Sequence, residues 1–447
     1  MPWEGAWHGW CVRGFGCSAS EGSGRMGALP PEVRLKTHRR VPPIWLMGLS
    51  NATLGLCMGL MIFVVPQLLA ADHVPEAKIA GLTALAISPN FFYFLLGPML
   101  DIRFSRRWYA TVMALTAAIC AGVAILNLRH LVVLEIALMM IAMSSNLSSA
   151  ALCGWLAHIV DPRDTNVLSK WLNMALICGA GVTALLGGQM VLHLPIVVAA
   201  VLVGAIIFLP TAIFPWMPAP GPDRRLAAES FGQFNRDLLA LLGRREVVIG
   251  LLLFLSPCSS FALTNLLGGL GADFGASARI VSLAGGGGAI LPGLIGCFFF
   301  PILAKKIALR NFYVANGIVG SVFTLTLIVL PRVPWVFALA LFGEFLFQAV
   351  AFSIQIGIVY EVIGPNNPLA ATTFALLTAA TNVPITYILV TDGHGYNLGG
   401  VAGLFATDAL IGIVACSVGW VLLRRYCPEG FGARAESVVA EVVGEEA

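Results

Sequence analysis

Long apolar runs, separated by short polar stretches, dominate the chain from Ile44 onward. A helix needs ~20 mainly apolar residues to cross the hydrocarbon core of a bilayer. Twelve runs of that kind are predicted, at 44–70, 76–100, 107–127, 131–158, 166–192, 195–215, 247–270, 278–301, 311–330, 335–362, 368–391 and 398–423. Inside lipid every backbone N–H and C=O must be paired within the protein, so such runs become helices rather than open sheets. The expected fold is all-α and integral to the membrane.

The pattern also repeats. A shift of 203 residues carries Pro89 onto Pro292, Pro98 onto Pro301 and Pro162 onto Pro365. It moves the run opening at Ile44 onto the one opening at Val247, and Arg107, at the head of the third run, onto Arg310. Two tandem halves, 44–215 and 247–424, therefore predict two pseudo-symmetric six-helix bundles joined by a linker at 216–246. Repeats of this kind build secondary transporters, whose solute sites lie near the bilayer midplane where the halves meet. The match fails at two acids: Asp101 falls on Ala304, and Glu344 on Ile141. The shared prolines specify the scaffold, so the unmatched acids are where direction and coupling should be sought.

Composition excludes an ordinary soluble globule, because 58% of the 447 residues are hydrophobic and only 11% charged. The formal net charge of +3 hides where the charges sit. Arg39, Arg40, Arg103, Arg106, Arg107, Arg163, Lys170, Arg224, Arg225, Arg244, Arg245, Lys305, Lys306, Arg310, Arg424 and Arg425 fall on one side of the twelve-run topology. Only Lys78, Arg129, Arg279 and Arg332 fall on the other. The positive-inside rule then puts both termini in the cytosol, in a cytoplasmic (inner) membrane. Topology accounts for the basic clusters, so no nucleic acid is expected.

Seven of the ten cysteines lie in apolar runs, where cysteine behaves as a small hydrophobe. None has metal-site spacing such as C-x-x-C, so neither a metal site nor a disulfide framework is expected. All seven histidines fall in tails or at run ends, which argues against a haem-bearing carrier. His158-Ile-Val-Asp161 reads as the end of the fourth run, since Pro162 follows directly.

Residues 1–43 carry no periodicity and no apolar h-region, and are expected to be disordered and cytosolic. Met26 offers a second start, so residues 1–25 are expected to be dispensable. In the linker, Phe231, Phe234, Leu238, Leu241 and Leu242 fall at helical spacing, giving either a short amphipathic helix on the membrane surface or a simple tether. Residues 425–447 form a loose cytosolic tail.

Between the second and third runs stands Gly97-Pro98-Met99-Leu100-Asp101-Ile102-Arg103-Phe104-Ser105-Arg106-Arg107. It resembles the loop motif of the major facilitator superfamily, Gly-x-Leu-x-Asp-Arg-x-Gly-Arg-Arg-Arg, at Gly97, Asp101, Arg106 and Arg107. It departs from it at Ile102, Phe104 and Ser105. The resemblance implies that Asp101, Arg106 and Arg107 form a charge cluster that helps hold the cytosolic face closed. An acid beside a helix N-terminus is favoured by the helix dipole. Within the superfamily, Ala370-Ala371-Thr372-Thr373-Phe374-Ala375-Leu376-Leu377-Thr378 resembles the AmpG-type permeases, which are grouped with acetyl-CoA transporters and siderophore importers.

Ionisable groups at membrane depth are functional candidates by default. Glu344 lies midway along the tenth run, with Gln348, Ala351 and Gln355 following at i+4, i+7 and i+11 on one face. The resemblance implies that helices 1, 4, 7 and 10 line a central cavity, and this stripe lies on the tenth. Glu344 is the candidate proton-coupling or solute-contacting acid. Asn146 and, toward the outer end, Glu135 belong to the fourth run, Asn51 to the first, and Asn265 to the seventh. Asp408 sits in the twelfth. Ser256-Pro257 begins a hydroxyl-rich stretch of the seventh run, readable as a gate, a solute contact or a static kink. Gly55-x-x-x-Gly59 and Gly285–Gly288 are expected to permit close helix packing.

These readings combine into a monomeric secondary active transporter that needs no cofactor. It would move a small peptide-like, amphipathic or siderophore-like solute by alternating access, together with a proton. The absence of Lys or Arg deep in any run disfavours anionic cargo. The alternative from another class is a non-transporting protein of the same fold that assembles membrane pigment–protein complexes. An integral-membrane enzyme would need a convergent His/Asp or Cys/His constellation, which the sequence does not offer.

Overall fold

The computed structural model describes residues 42–219, 236 and 239–426, except 103, 286, 365 and 366. The N-terminal segment, most of the linker with its amphipathic stretch, Arg103 and the C-terminal tail lie outside the described residues. Within them all regular structure is helical, in line with the apolar pattern. The membrane-crossing helices are α1 (Ile44–Ala71), α2 (Gly81–Phe91 with Tyr93–Asp101), α3 (Arg106–Leu126), α4 (Leu131–Leu156), α5 (Thr165–His193) and α6 (Ile196–Trp216). The second half supplies α7 (Arg245–Leu255, then turns at Ala262–Asn265 and Leu267–Phe274), α8 (Ala278–Gly285 with Ile290–Ala304), α9 (Leu309–Val329), α10 (Pro334–Ile363), α11 (370–398) and α12 (401–426).

Nine stretches of the described residues are long and apolar enough to span a bilayer, and the bent α2 makes a tenth. The remaining two of the twelve predicted segments follow from local breaks. Residues 370–425 form one long stretch only until Gly399 and Gly400, whose backbones are non-helical. Gly400 has φ +59°, the left-handed region that glycine enters without steric cost, so α11 and α12 can part there. The twelfth is α7.

There the structure departs from the predicted continuous helix over 247–270. The helix stops at Leu255, Ser256 is extended, and Ser259 (φ 53°) and Phe261 (φ 46°) are left-handed. Pro257 cannot donate to the preceding turn. The hydroxyls take over: Ser256 donates to the Leu253 carbonyl at 2.7 Å, and Ser259 to the Tyr313 carbonyl of α9 at 2.7 Å. The sequence expectation of a kink or gate at Pro257 becomes a full break in this structure.

Proline also bends α2, by 42° between its two pieces, with Pro89 opening a 3-10 turn and Pro98 inside the next. Close packing is strongest between α1 and α5. A Cβ on Gly55 would come within 2.1 Å of the Leu176 carbonyl oxygen, and one on Gly59 within 2.4 Å of that of Ala180. Without a hydrophobic driving force between helices in lipid, such backbone approach is what supplies the packing. Gly285 was expected to do the same but faces open space, and the glycine run instead interrupts α8.

Candidate solute cavity and its latch

Two contiguous cavities lie between the halves. The first, about 340 Å³, is lined by residues of α1, α2, α4, α5, α7, α10 and α11. The second, about 410 Å³, shares Met58, Ile62, Leu176, Gln348 and Phe352 with it and continues past Phe63 and Gln67 of α1 and Leu185 of α5. Five sequence candidates come together in the first cavity: Asn51, Asn146, Asn265, Gln348 and Gln355.

Most of these amides are already tethered. Ser149 donates to Asn51 Oδ1 at 2.7 Å, and Asn146 Nδ2 donates to Asn90 Oδ1 at 2.7 Å. Gln348 Nε2 donates to the Thr264 hydroxyl at 2.9 Å, which ties α10 to the unwound part of α7. Gln355 Nε2 donates to the Tyr313 hydroxyl of α9 at 2.9 Å. The tethers fix the side chains while each keeps acceptor or donor capacity for a bound molecule.

Sequence reading missed part of this wall. Asn90 on α2, Asn173 on α5, and Thr378, Thr381 and Asn382 on α11 also line the cavity. Asn173 is fully buried and spans the halves: its Nδ2 donates to the Ala349 carbonyl at 2.8 Å and the Ser353 hydroxyl at 3.0 Å, both on α10. Its Oδ1 has no partner. The signal was present, since an asparagine inside an apolar run is as costly on α2 or α5 as on α4. Among the described residues no Asp, Glu, Lys, Arg or His lines either cavity. The remaining lining is aliphatic and aromatic, including Phe91, Phe352 and Phe374.

Glu344, Glu135 and Asp408 are not part of this wall. Glu344 is 1% exposed, and its Oε1 accepts from Thr324 of α9 at 2.7 Å. At 100° per residue Glu344 trails Gln348 by about 40°, enough to turn it from the cavity toward α9. Glu135 is half-buried near the start of α4. Asp408, on α12, lies beside Pro257 and Thr324 around a separate small hole.

At one end the halves are latched. Asp101, 5% exposed at the close of α2, accepts from Arg106 Nε at 2.7 Å, a bond within the first half. It also accepts from the second half: from Thr372 N at 2.8 Å, Thr372 Oγ1 at 2.7 Å and Ala371 N at 3.3 Å. These are the first amides of α11, unpaired by the helix itself and carrying its positive dipole end. Arg106 Nη2 adds a 2.6 Å bond to the Pro368 carbonyl. His158, set aside as a helix end, lies 3.3 Å from Arg106 Nη1 and joins the cluster. Arg107 is half-buried next to it. Gly154 of α4 packs so closely on α11 that a Cβ would lie 2.7 Å from Ala371 N.

Residues 47–382 match the Major Facilitator Superfamily. The chain belongs to that family. It is accordingly a multi-pass membrane transporter with the major facilitator fold, two pseudo-symmetric bundles of six helices. Solved structures agree on the fold. The human organic anion transporter MFSD10 (TETRAN) superposes with a TM-score of 0.61 at 18% identity, covering 88% of this chain and 100% of that one. The proton:xylose symporter XylE gives 0.63 at 14% identity, covering 87% and 98%. The fucose transporter FucP of E. coli, a fucose:proton symporter, gives 0.64 at 15% identity, covering 85% and 98%. No curated protein sequence matches this major facilitator chain.

Proposed function

We propose that this transporter carries a small, uncharged or zwitterionic amphipathic solute, of peptide-like or siderophore-like chemistry, by proton-coupled alternating access. The observation that carries the reading is the lining: amides and hydroxyls on an apolar, aromatic wall, with no charged side chain. Such a wall offers paired donors and acceptors for amide or hydroxyl groups and dry contact for a hydrocarbon body. A net anion would find no cation opposite it, at a depth where an unpaired charge is costly. The structural neighbours are named for xylose, fucose and organic anions, so the fold accommodates different charges and the choice rests on the lining. The AmpG-type grouping, carried by the Ala370–Thr378 stretch, belongs to the same reading.

With the basic loops in the cytosol, the Asp101 latch closes the cytosolic face of an inner-membrane protein whose termini are both inside. The cavity then leads outward, and rocking of the bundles would break the latch and open the other side. Asn51, Asn146, Asn265, Gln348 and Gln355 contact the solute, and Glu344 serves coupling from outside the cavity. The test is uptake into liposomes by purified protein under an imposed pH gradient, with a panel of labelled neutral dipeptides, ferric siderophores and acyl-CoA. Accumulation of a neutral or zwitterionic member, lost in Gln348→Ala, supports the reading. Selective uptake of the anionic acyl-CoA sinks it.

A further inference from the structure

Three carboxyls on three helices of the second half lie outside the lining of the solute cavity. Glu344 (α10) is 1% exposed and Asp392 (α11) is fully buried, while Asp408 (α12) is partly covered. Thr324, which donates to Glu344, and Asp408 border one small hole, and Asp392 follows Ile388 of the same border by one turn. The hole is about 20 Å³, bordered by Asp408, the hydroxyls of Ser321 and Thr324 on α9, and those of Ser259 and Ser260 in the unwound α7. On this measure roughly 10–15 Å³ is enough for one water-sized occupant. Ile388, one turn before Asp392 on α11, also borders it.

Two independent features call for a ligand. The first is the hole, polar on most sides and large enough for a single small particle. The second is Asp392, whose two carboxyl oxygens are buried without a hydrogen-bond partner. Buried polar groups in native proteins are paired, and an orphaned carboxyl calls for an ion, a proton or a water. Among the described residues no basic side chain borders the hole. Arg332, at the outer end between α9 and α10, stacks on Phe274 and Phe405. Cys258 and Cys416 are free, buried thiols, the latter about two turns along α12 from Asp408. Glu344 spends one oxygen on Thr324, which borders the hole as Asp408 does, so these two acids and the hole form one connected unit, with Asp392 one turn beyond Ile388 of its border.

We propose that Glu344, Asp392, Asp408 and Thr324 form a binding site for a monovalent cation, the proton or sodium, physically separate from the solute cavity. The proposal rests on the transport reading for its purpose, but not for its test. The site touches four helices, two of which, α10 and α11, also line the cavity. Occupancy therefore sets how α9–α12 pack, and through α10 and α11 the shape of the solute wall.

The test uses the purified full-length protein without any solute. Thermal unfolding is followed in sodium chloride against choline chloride at equal ionic strength, and across pH. Infrared spectra record the protonated-carboxyl C=O band over the same pH series. For sodium, the unfolding midpoint rises saturably with sodium over choline, and Asp392→Asn abolishes the rise. For the proton, a carboxyl band titrates, and it loses a component in Asp392→Asn and another in Glu344→Gln. The wild-type band needs no variant, and Asp408→Asn substitutes if Asp392→Asn fails to fold. A protein indifferent to sodium, with no titrating carboxyl band that the variants alter, overturns the site. Cation binding without uptake of any neutral solute would instead count against the solute assignment alone.

Discussion

Replacing Asp101 by Asn isolates the strength of the latch. Asp101 and Arg106 both belong to the first half and stay together when the halves part, so their ion pair does not oppose opening. The Asp101 bonds that break are those crossing to α11, from Thr372 N at 2.8 Å, Thr372 Oγ1 at 2.7 Å and the longer one from Ala371 N at 3.3 Å. A hydrogen bond to a charged acceptor contributes about 1.5–3 kcal/mol, and the asparagine oxygen retains one of them as a weaker neutral bond. Counting only the two short bonds, and about 1 kcal/mol for the neutral bond retained, the net loss is about 2–5 kcal/mol on that scale. At 1.4 kcal/mol per tenfold, opening becomes roughly 30- to 4,000-fold more populated. Hydrogen–deuterium exchange reads this directly, because the amides of Ala371 and Thr372 are the ones released. Exchange in a peptide covering 370–378 should accelerate by that factor in Asp101→Asn, while a peptide within α4 stays unchanged. Unaltered exchange at the head of α11, or an equal rise in both peptides, would refute the latch.

Four further substitutions follow from the packing. Gly154→Ala places a methyl 2.7 Å from Ala371 N across the two halves and should disfavour closure by about 1–3 kcal/mol. It should speed exchange at 370–378 without removing any charge. Asn173→Ala deletes the bonds to Ala349 and Ser353 and should lower stability by about 1–3 kcal/mol, seen as a lower unfolding midpoint. An unchanged midpoint would mean that this bridge is energetically idle. Gly317→Ala would meet Cys416 Sγ at 2.5 Å and Ser259 Oγ at 2.7 Å, at a cost of about 1–3 kcal/mol. Gly285→Ala meets nothing and should stay within about 0.5 kcal/mol in the same melt.

The fold was legible because lipid imposes one rule, and twelve apolar runs with matched prolines obey it in both halves. The cavity wall was legible where amides interrupted helices 1, 4, 7 and 10, and not where Asn90 and Asn173 did the same on α2 and α5. An amide costs as much to bury on α2 or α5 as on α4, so Asn90 and Asn173 carry the same signal. Asp392 falls just past the predicted end of the eleventh run at 391, yet the helix continues to the Gly399–Gly400 break. Residue type could not reveal that Asp392 is fully buried, since the burial is tertiary. The α7 break had a local signal in Ser256-Pro257. Its extent depended on Ser259 finding the Tyr313 carbonyl on another helix.

These pieces meet on α11. Its first turn holds the latch through Thr372, its middle faces the solute cavity through Thr378, Thr381 and Asn382, and Asp392 near its far end sits in the acid cluster. Thr372 and Asp392 are twenty residues apart, about 30 Å along a helix at 1.5 Å per residue. The two pieces of α11 meet at Thr381, ahead of Pro384, and a tilt at one end displaces the other to the extent that they move together. Filling the cation site fixes the outer end of α11 against α10 and α12, and releasing Asp101 frees its inner end. Coupling through α11 predicts that Asp392→Asn alters exchange at 370–378, although no bond joins the two places. If exchange at the head of α11 ignores Asp392 while the cation response is lost, the two ends are uncoupled. The connection between cation and latch must then run through α10, where Glu344 and the cavity glutamines share a helix.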